Sequence, residues 1–131
     1  MLSITPIYAS LLVALILFLA YRVTGFRRSE SVALGEDQCS KAMKRAIRVH
    51  GNAIENVPLA LILLLLLELN QLTPWMLHLF GAMLLLGRVM HAWGLSRIDG
   101  SSFGRYHGTV LTWLSMGAML VTNLLLVLTR S

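Results

Sequence analysis

Four stretches of the chain are dominated by apolar residues, and short polar segments separate them. The first apolar stretch opens near Pro6, a residue tolerated in a first helical turn. It closes near Val23, where Gly25 and the pair Arg27 and Arg28 mark an exit into water. The pattern predicts a helix over about 6–23, then a polar loop, then helices over about 46–69, 74–94 and 106–128. Asn70-Gln71-Leu72-Thr73 reads as a tight uncharged turn, with Thr73 suited to cap a helix and Pro74 to its first position. Helices two and three are therefore expected to form an antiparallel hairpin. No internal repeat or second domain is visible, so residues 1–131 are read as a single four-helix membrane domain. The fold class expected is an all-α membrane bundle.

The second apolar stretch does not fit this frame unaided. Val57 to Leu67 is eleven residues, or roughly 16 Å of helix against a hydrocarbon core of about 30 Å. To cross, this helix must also use the residues upstream. Arg48, His50, Asn52, Glu55 and Asn56 are thereby drawn into or against the membrane. Ionisable groups at that depth are costly, and they normally face a bundle interior, where they pair with one another or with a ligand.

Composition agrees with a bilayer. Hydrophobic residues make up 56% of the 131, more than a soluble domain of this size can bury. Eleven Lys and Arg against six Asp and Glu give a net charge of +5. The cations cluster: from Arg22 to Arg48 there are seven basic residues and three acids, so the positive-inside rule places this loop in the cytoplasm. The segment Gly94 to Gly104, with Arg97, Asp99 and Gly100-Ser101-Ser102, forms a second cytoplasmic loop, and both termini fall on the opposite side. Tyr21, Trp75, Trp93 and Tyr106 lie near span ends, where aromatic rings anchor at the interface. The N-terminus lacks the basic residues of a signal peptide, and the first apolar run ends in Tyr21-Arg22 rather than a small-residue cleavage site, so it is read as a retained span. Charges set beside membrane-length runs report topology, and nucleic-acid binding is not expected. The single Cys39 excludes an internal disulfide and reads as incidental.

On helix two, Arg45, Arg48, Asn52 and Glu55 are spaced i, i+3, i+7 and i+10, which sets them on one stripe. One reading is a purely internal ladder in which Arg48 pairs with Glu55 and the bundle is stabilised without a ligand. The other notes that Arg45, Arg48 and Arg88, with Arg27, Arg28 and Arg105 adjacent, outnumber Glu55. A cationic surplus in a half-enclosed site attracts an anion, and guanidinium groups pair with carboxylates bidentately. Arg88 and His91, spaced i, i+3, share a face of helix three. His78 and His107 stand apart and read as structural or interfacial. The histidines and the lone cysteine make no four-ligand metal pattern, so no metal is expected. A phosphate-cradling glycine loop and a serine-nucleophile elbow are missing as well.

The segment Arg48-Val-His-Gly-Asn-Ala-Ile-Glu-Asn56 resembles the second-helix motif of the membrane-associated proteins in eicosanoid and glutathione metabolism, and is close to the pattern of that family's microsomal glutathione transferases. Arg88-Val-Met-His91 is similar to the family's Arg-x-x-His, and length and loop pattern extend the resemblance over essentially the whole chain. The resemblance implies a homotrimer with glutathione bound between subunits near the cytoplasmic side. It further implies that Arg48, Asn52, Glu55 and His91 contact glutathione or order its pocket, with Arg88 in support. His50 matches the motif from beside the main stripe, and either Arg27 or Arg28 would grip a glutathione carboxylate. The family's thiolate-stabilising arginine near the start of helix four is matched by Arg105, which would lower the thiol pKa by favouring the charged form. The chain departs at Leu95, where several members carry tyrosine.

The function implied is a glutathione transferase or peroxidase, with glutathione as co-substrate and a hydrophobic electrophile or lipid hydroperoxide entering from the surrounding membrane lipids. The alternative is a non-catalytic lipid-binding or scaffold protein, since the same family contains one. A transporter or channel is disfavoured because no charged pathway crosses Val57 to Leu67, beyond which Glu68 reads as a lone acid at the far end.

Overall fold

A computed structural model of the chain describes residues 2–97 and 103–130, with the side chains of 95–97 and 130 outside that description. The readings of Arg97, Asp99 and Gly100-Ser101-Ser102 lie outside it, as does the side chain of Leu95. Among the described residues there are four helices: α1 (Thr5–Ser29), α2 (Lys41–Leu69), α3 (Pro74–Arg97) and α4 (Phe103–Arg130). All four contain a stretch long and apolar enough to cross a membrane. Leucines, valines and isoleucines are exposed along every helix, among them Leu17, Leu59, Leu86 and Leu124. This outward apolar surface is what a lipid solvent selects, because there the backbone is satisfied within each helix and the side chains need no water.

All four helices run further than the hydropathy pattern suggests, α1 and α2 into the basic loop between them. α1 continues past Val23 to Ser29, so Arg27 and Arg28 sit on helix rather than loop. Gly25 alone costs a helix only about 1 kcal/mol, and Phe26 offsets that by packing with Val32, Cys39 and Met43 under the following loop. α2 begins at Lys41, where the Ser40 hydroxyl accepts the Met43 amide at 3.1 Å as a helix cap. Glu30 at the end of α1 accepts the Ser40 amide at 2.9 Å and also bonds the Ser40 hydroxyl, so one carboxylate ties the exit of α1 to the entry of α2.

α1 and α2 end alike. Ser31 (φ 56°) and Gln71 (φ 57°) adopt left-handed backbone, which lets the amides of Val32 and Leu72 reach back to the carbonyls of Arg27 and Leu67 at 3.0 Å. The turn 70–73 then delivers the chain to Pro74, and the Thr73 carbonyl accepts the Met76 amide at 3.1 Å.

The core has two parts. Leu12, Leu64, Leu67, Leu77, Leu84 and Met119 fill the half of the bundle nearest the α2–α3 turn. Toward the basic end the core narrows to Leu19, Val49, Ala53 and Ala92. The small side chains there admit close helix approach, leaving room for polar groups between helices.

The far end corrects two expectations. Glu68 is not a lone acid. Its carboxylate accepts the amides of Ser3 (2.7 Å), Ile4 (2.8 Å) and Thr5 (2.6 Å), capping α1 from another helix because Ile4 has no capping side chain of its own. His78 is not isolated either. The Tyr8 hydroxyl lies 3.1 Å from His78 Nδ1 and donates to the His78 carbonyl, while the Tyr8 ring fills the space that a side chain at Gly81 would need.

Candidate functional site

At the basic end α3 and α4 approach so closely that their backbones touch. A Cβ added to Gly108 would lie 2.5 Å from the His91 amide nitrogen and 2.6 Å from the Gly87 carbonyl oxygen. One added to Gly104 would lie 2.8 Å from the Met90 carbonyl oxygen. Glycine is required at these crossings because nothing on either backbone can yield. The approach brings Arg88 against α4 with its guanidinium enclosed at 2% exposure.

Each guanidinium nitrogen of Arg88 donates one hydrogen bond. Nε donates to Thr112 Oγ1 at 2.8 Å, Nη1 to Asn52 Oδ1, and Nη2 to the Gly108 carbonyl at 3.4 Å. Thr112 passes its own proton to the Gly108 carbonyl at 2.8 Å. Three helices therefore meet at one cation whose acceptors are all neutral oxygens. A buried charge is tolerable when hydrogen-bonded, but these partners leave its positive charge uncompensated. His91 lies one turn further along α3, 4% exposed, within the fields of both Arg88 and Arg105.

The polar residues of α2 divide between its faces. Asn52 is half-buried and turned toward Arg88, and Asn56 folds back to donate to the Asn52 carbonyl at 2.9 Å. Arg48 and Glu55 are exposed on α2 and do not bond one another, so the Arg48–Glu55 pair of the internal-ladder reading does not form within the chain. His50 and Arg45 are half-buried. Pro58 has no amide hydrogen to give, which leaves the Ile54 carbonyl without its intrahelical donor beside Glu55.

The remaining candidates surround this centre. Arg27 Nη1 reaches the carbonyls of Val32 (3.4 Å) and Ala33 (3.3 Å), so its head belongs to the loop after α1, whereas Arg28 is exposed. Arg105 stands in the first turn of α4. With Tyr106, Thr109, Val110 and Trp113 it lines an open groove of about 460 Å³. The structure thus joins Asn52, Arg88 and His91, sets Arg105 nearby, and leaves Arg48 and Glu55 facing outward. Thr112 and Gly108 were not among the candidates. Their signal is the spacing Gly104-x-x-x-Gly108 followed by Thr112, the small-residue stripe of closely packed membrane helices.

Four membrane-length helices with outward apolar surfaces define an integral membrane protein of several spans. A model of the MAPEG family matches residues 5–125, and the chain belongs to that family. It is similar to the inner membrane protein YecN of Escherichia coli strain K12, at 35% identity over 121 residues, which cover 92% of this chain and 90% of that protein. The same protein from Escherichia coli O6:H1 matches equally, at 35% identity over 121 residues.

Proposed function

We propose that the chain is a membrane-bound glutathione transferase, with peroxidase activity on lipid hydroperoxides as a second outcome of the same thiolate. The observation that carries this reading is the buried Arg88, hydrogen-bonded only to neutral oxygens and set beside His91 and Arg105. An end of the bundle with surplus positive charge favours an anionic ligand over a neutral one.

Glutathione suits the residues present. It carries two carboxylates for arginines, one ammonium for Glu55 and amides for Asn52. Because Asn52 Oδ1 already accepts from Arg88, its amide nitrogen is the part directed to a ligand, and Arg88 acts by holding it. Arg48 and Glu55 are exposed on a membrane helix, where single charges are costly. A homotrimer would enclose them between neighbouring α2 helices with glutathione among them, and Arg28 would be free to take a carboxylate while Arg27 holds its loop. The basic ends of the helices would lie in the cytoplasm and both termini on the other side.

In this reading Arg105 stabilises the glutathione thiolate. The sulfur attacks an electrophilic carbon, the new S–C bond forms, and the displaced electron pair leaves with the leaving group or takes up a proton. The groove beside Arg105, walled by Val110 and Trp113, would admit that apolar partner from the bilayer. The test is a titration of the detergent-solubilised protein with glutathione, followed by thiolate absorbance in the ultraviolet. Thiolate is expected near neutral pH and is expected to vanish in Arg105→Ala with glutathione affinity retained. Binding without thiolate removes Arg105 from this role, and no binding returns the chain to the scaffold reading.

A further inference from the structure

We propose that the Ile54 carbonyl, set free by Pro58, is a second acceptor beside Glu55 for the ligand's ammonium, and that it makes the site select thiol peptides with a free α-amino group. This deepens the glutathione reading and rests on it. Pro58 stands inside α2, and a proline there leaves the carbonyl four residues earlier without its helical donor. A carbonyl freed in this way in a membrane helix is normally answered by a neighbouring helix or by a serine or threonine hydroxyl. Neither is at hand. Ile54, Glu55 and Pro58 are all exposed, so among the described residues no neighbouring helix covers them, and α2 contains no serine or threonine. Asn56, which lies between Ile54 and Pro58 in sequence, donates instead to the Asn52 carbonyl at 2.9 Å.

Depth makes the missing donor more costly. A hydrocarbon core of about 30 Å takes about twenty residues of helix, and counting back from Leu69 at the end of α2 puts its other boundary near residue 50. Ile54 and Glu55 therefore lie within it. Glu55 likewise has no hydrogen bond or ion pair among the described residues. A carboxylate and a bare carbonyl thus share the outer face of α2 inside the membrane, and both need a donor from outside the chain. The chemistry of the pair names that donor. A neutral amide would leave the carboxylate's charge unanswered, and a guanidinium is matched to the two oxygens of one carboxylate. A primary ammonium is compact and carries three diverging N–H groups, so it can bond a carboxylate and a carbonyl at once. In glutathione that group sits on the γ-glutamyl end, away from the thiol.

The test is calorimetric titration of the full detergent-solubilised chain with glutathione and with deaminated glutathione, in which hydrogen replaces the amino group. The wild type is expected to bind glutathione about a hundredfold more tightly than the deaminated form. Pro58→Ala restores an amide donor to the Ile54 carbonyl. It is expected to narrow that preference about tenfold, the worth of one hydrogen bond to a charged group, while binding the deaminated form as before. Pro58→Leu restores the same donor with a lipid-compatible side chain and should behave alike. Both variants add a helical hydrogen bond, so folding is favoured. Equal affinity of the wild type for the two thiols overturns the inference and leaves the glutathione reading standing. A preference unmoved in both Pro58 variants also overturns it, as does an equal loss of affinity for both thiols, which a straightened helix would cause. No binding of either thiol overturns it together with the glutathione reading.

Discussion

At the end of the bundle near the α2–α3 turn, the half-buried Glu68 accepts three consecutive backbone amides at the N-terminus of α1, where the helix dipole favours a negative charge. At the other end Arg88 is far more deeply buried, at 2% exposure, its three acceptors are neutral and none lies at a helix C-terminus, and Arg48 and Glu55 are left facing outward on α2. The cores differ in parallel: leucines fill the Glu68 end, whereas alanines and glycines line the Arg88 end. A group that serves only stability is paired until nothing is left over. A surplus charge held in position, at a cost in desolvation, is the observation on which the proposed ligand site rests.

Four substitutions sharpen that contrast, from the largest effect on stability to the smallest. Gly108→Ala places a methyl group against the backbones of His91 and Gly87, and it should cost about 3 kcal/mol in unfolding and displace Arg88. Thermal unfolding in detergent reads the first effect and glutathione binding the second. Glu68→Gln keeps one acceptor oxygen but loses the charge and part of the three-amide cap, and should cost about 2 kcal/mol while glutathione binding is unchanged. Arg88→Met should do the reverse. It removes a buried cation without stranding a carboxylate, and Thr112 keeps its bond to Gly108, so stability should stay within about 1 kcal/mol while glutathione affinity falls at least tenfold. Equal behaviour of the Glu68 and Arg88 variants would erase the distinction between the two ends.

The smallest effect concerns the loop after α1. Hydrogen bonds from the Ser40 hydroxyl and then the Ser40 amide hold the Glu30 carboxyl below its usual 4.5. A carboxyl depressed in the folded state stabilises it above the unfolded value and loses that contribution as pH falls through the folded one. The loop tie should therefore be intact at neutral pH and loosen below about 4.5. Cys39, buried beneath this loop, reports on it: its rate of reaction with a dipyridyl disulfide, taken relative to a free thiol at the same pH, should rise in acid, and Glu30→Gln should show the higher relative rate already at neutral pH.

The number and type of elements were legible because membrane-length hydrophobicity is a local signal, and the short run Val57 to Leu67 pointed to the polar half of α2. The family was legible from Arg48 to Asn56 and from Arg88 to His91. The partners were not. That Glu68 caps α1 depends on where the N-terminus comes to rest beside α2, 63 to 65 residues away in sequence. That Arg88 sits at the centre of a hydrogen-bonded cluster depends on the α3–α4 crossing, which brings Thr112 and Gly108 to it. Hydropathy carries no information about which helix faces meet. The glycine spacing on α4 was the one local hint of that crossing.

The central claim is that the Arg88 end takes up glutathione, and calorimetric titration of the detergent-solubilised chain with glutathione tests it most directly, with Glu55→Gln alongside. The account predicts saturable binding by the wild type, weakened at least tenfold in Glu55→Gln. No heat of binding from the wild type, or affinity unmoved by Glu55→Gln, would contradict it.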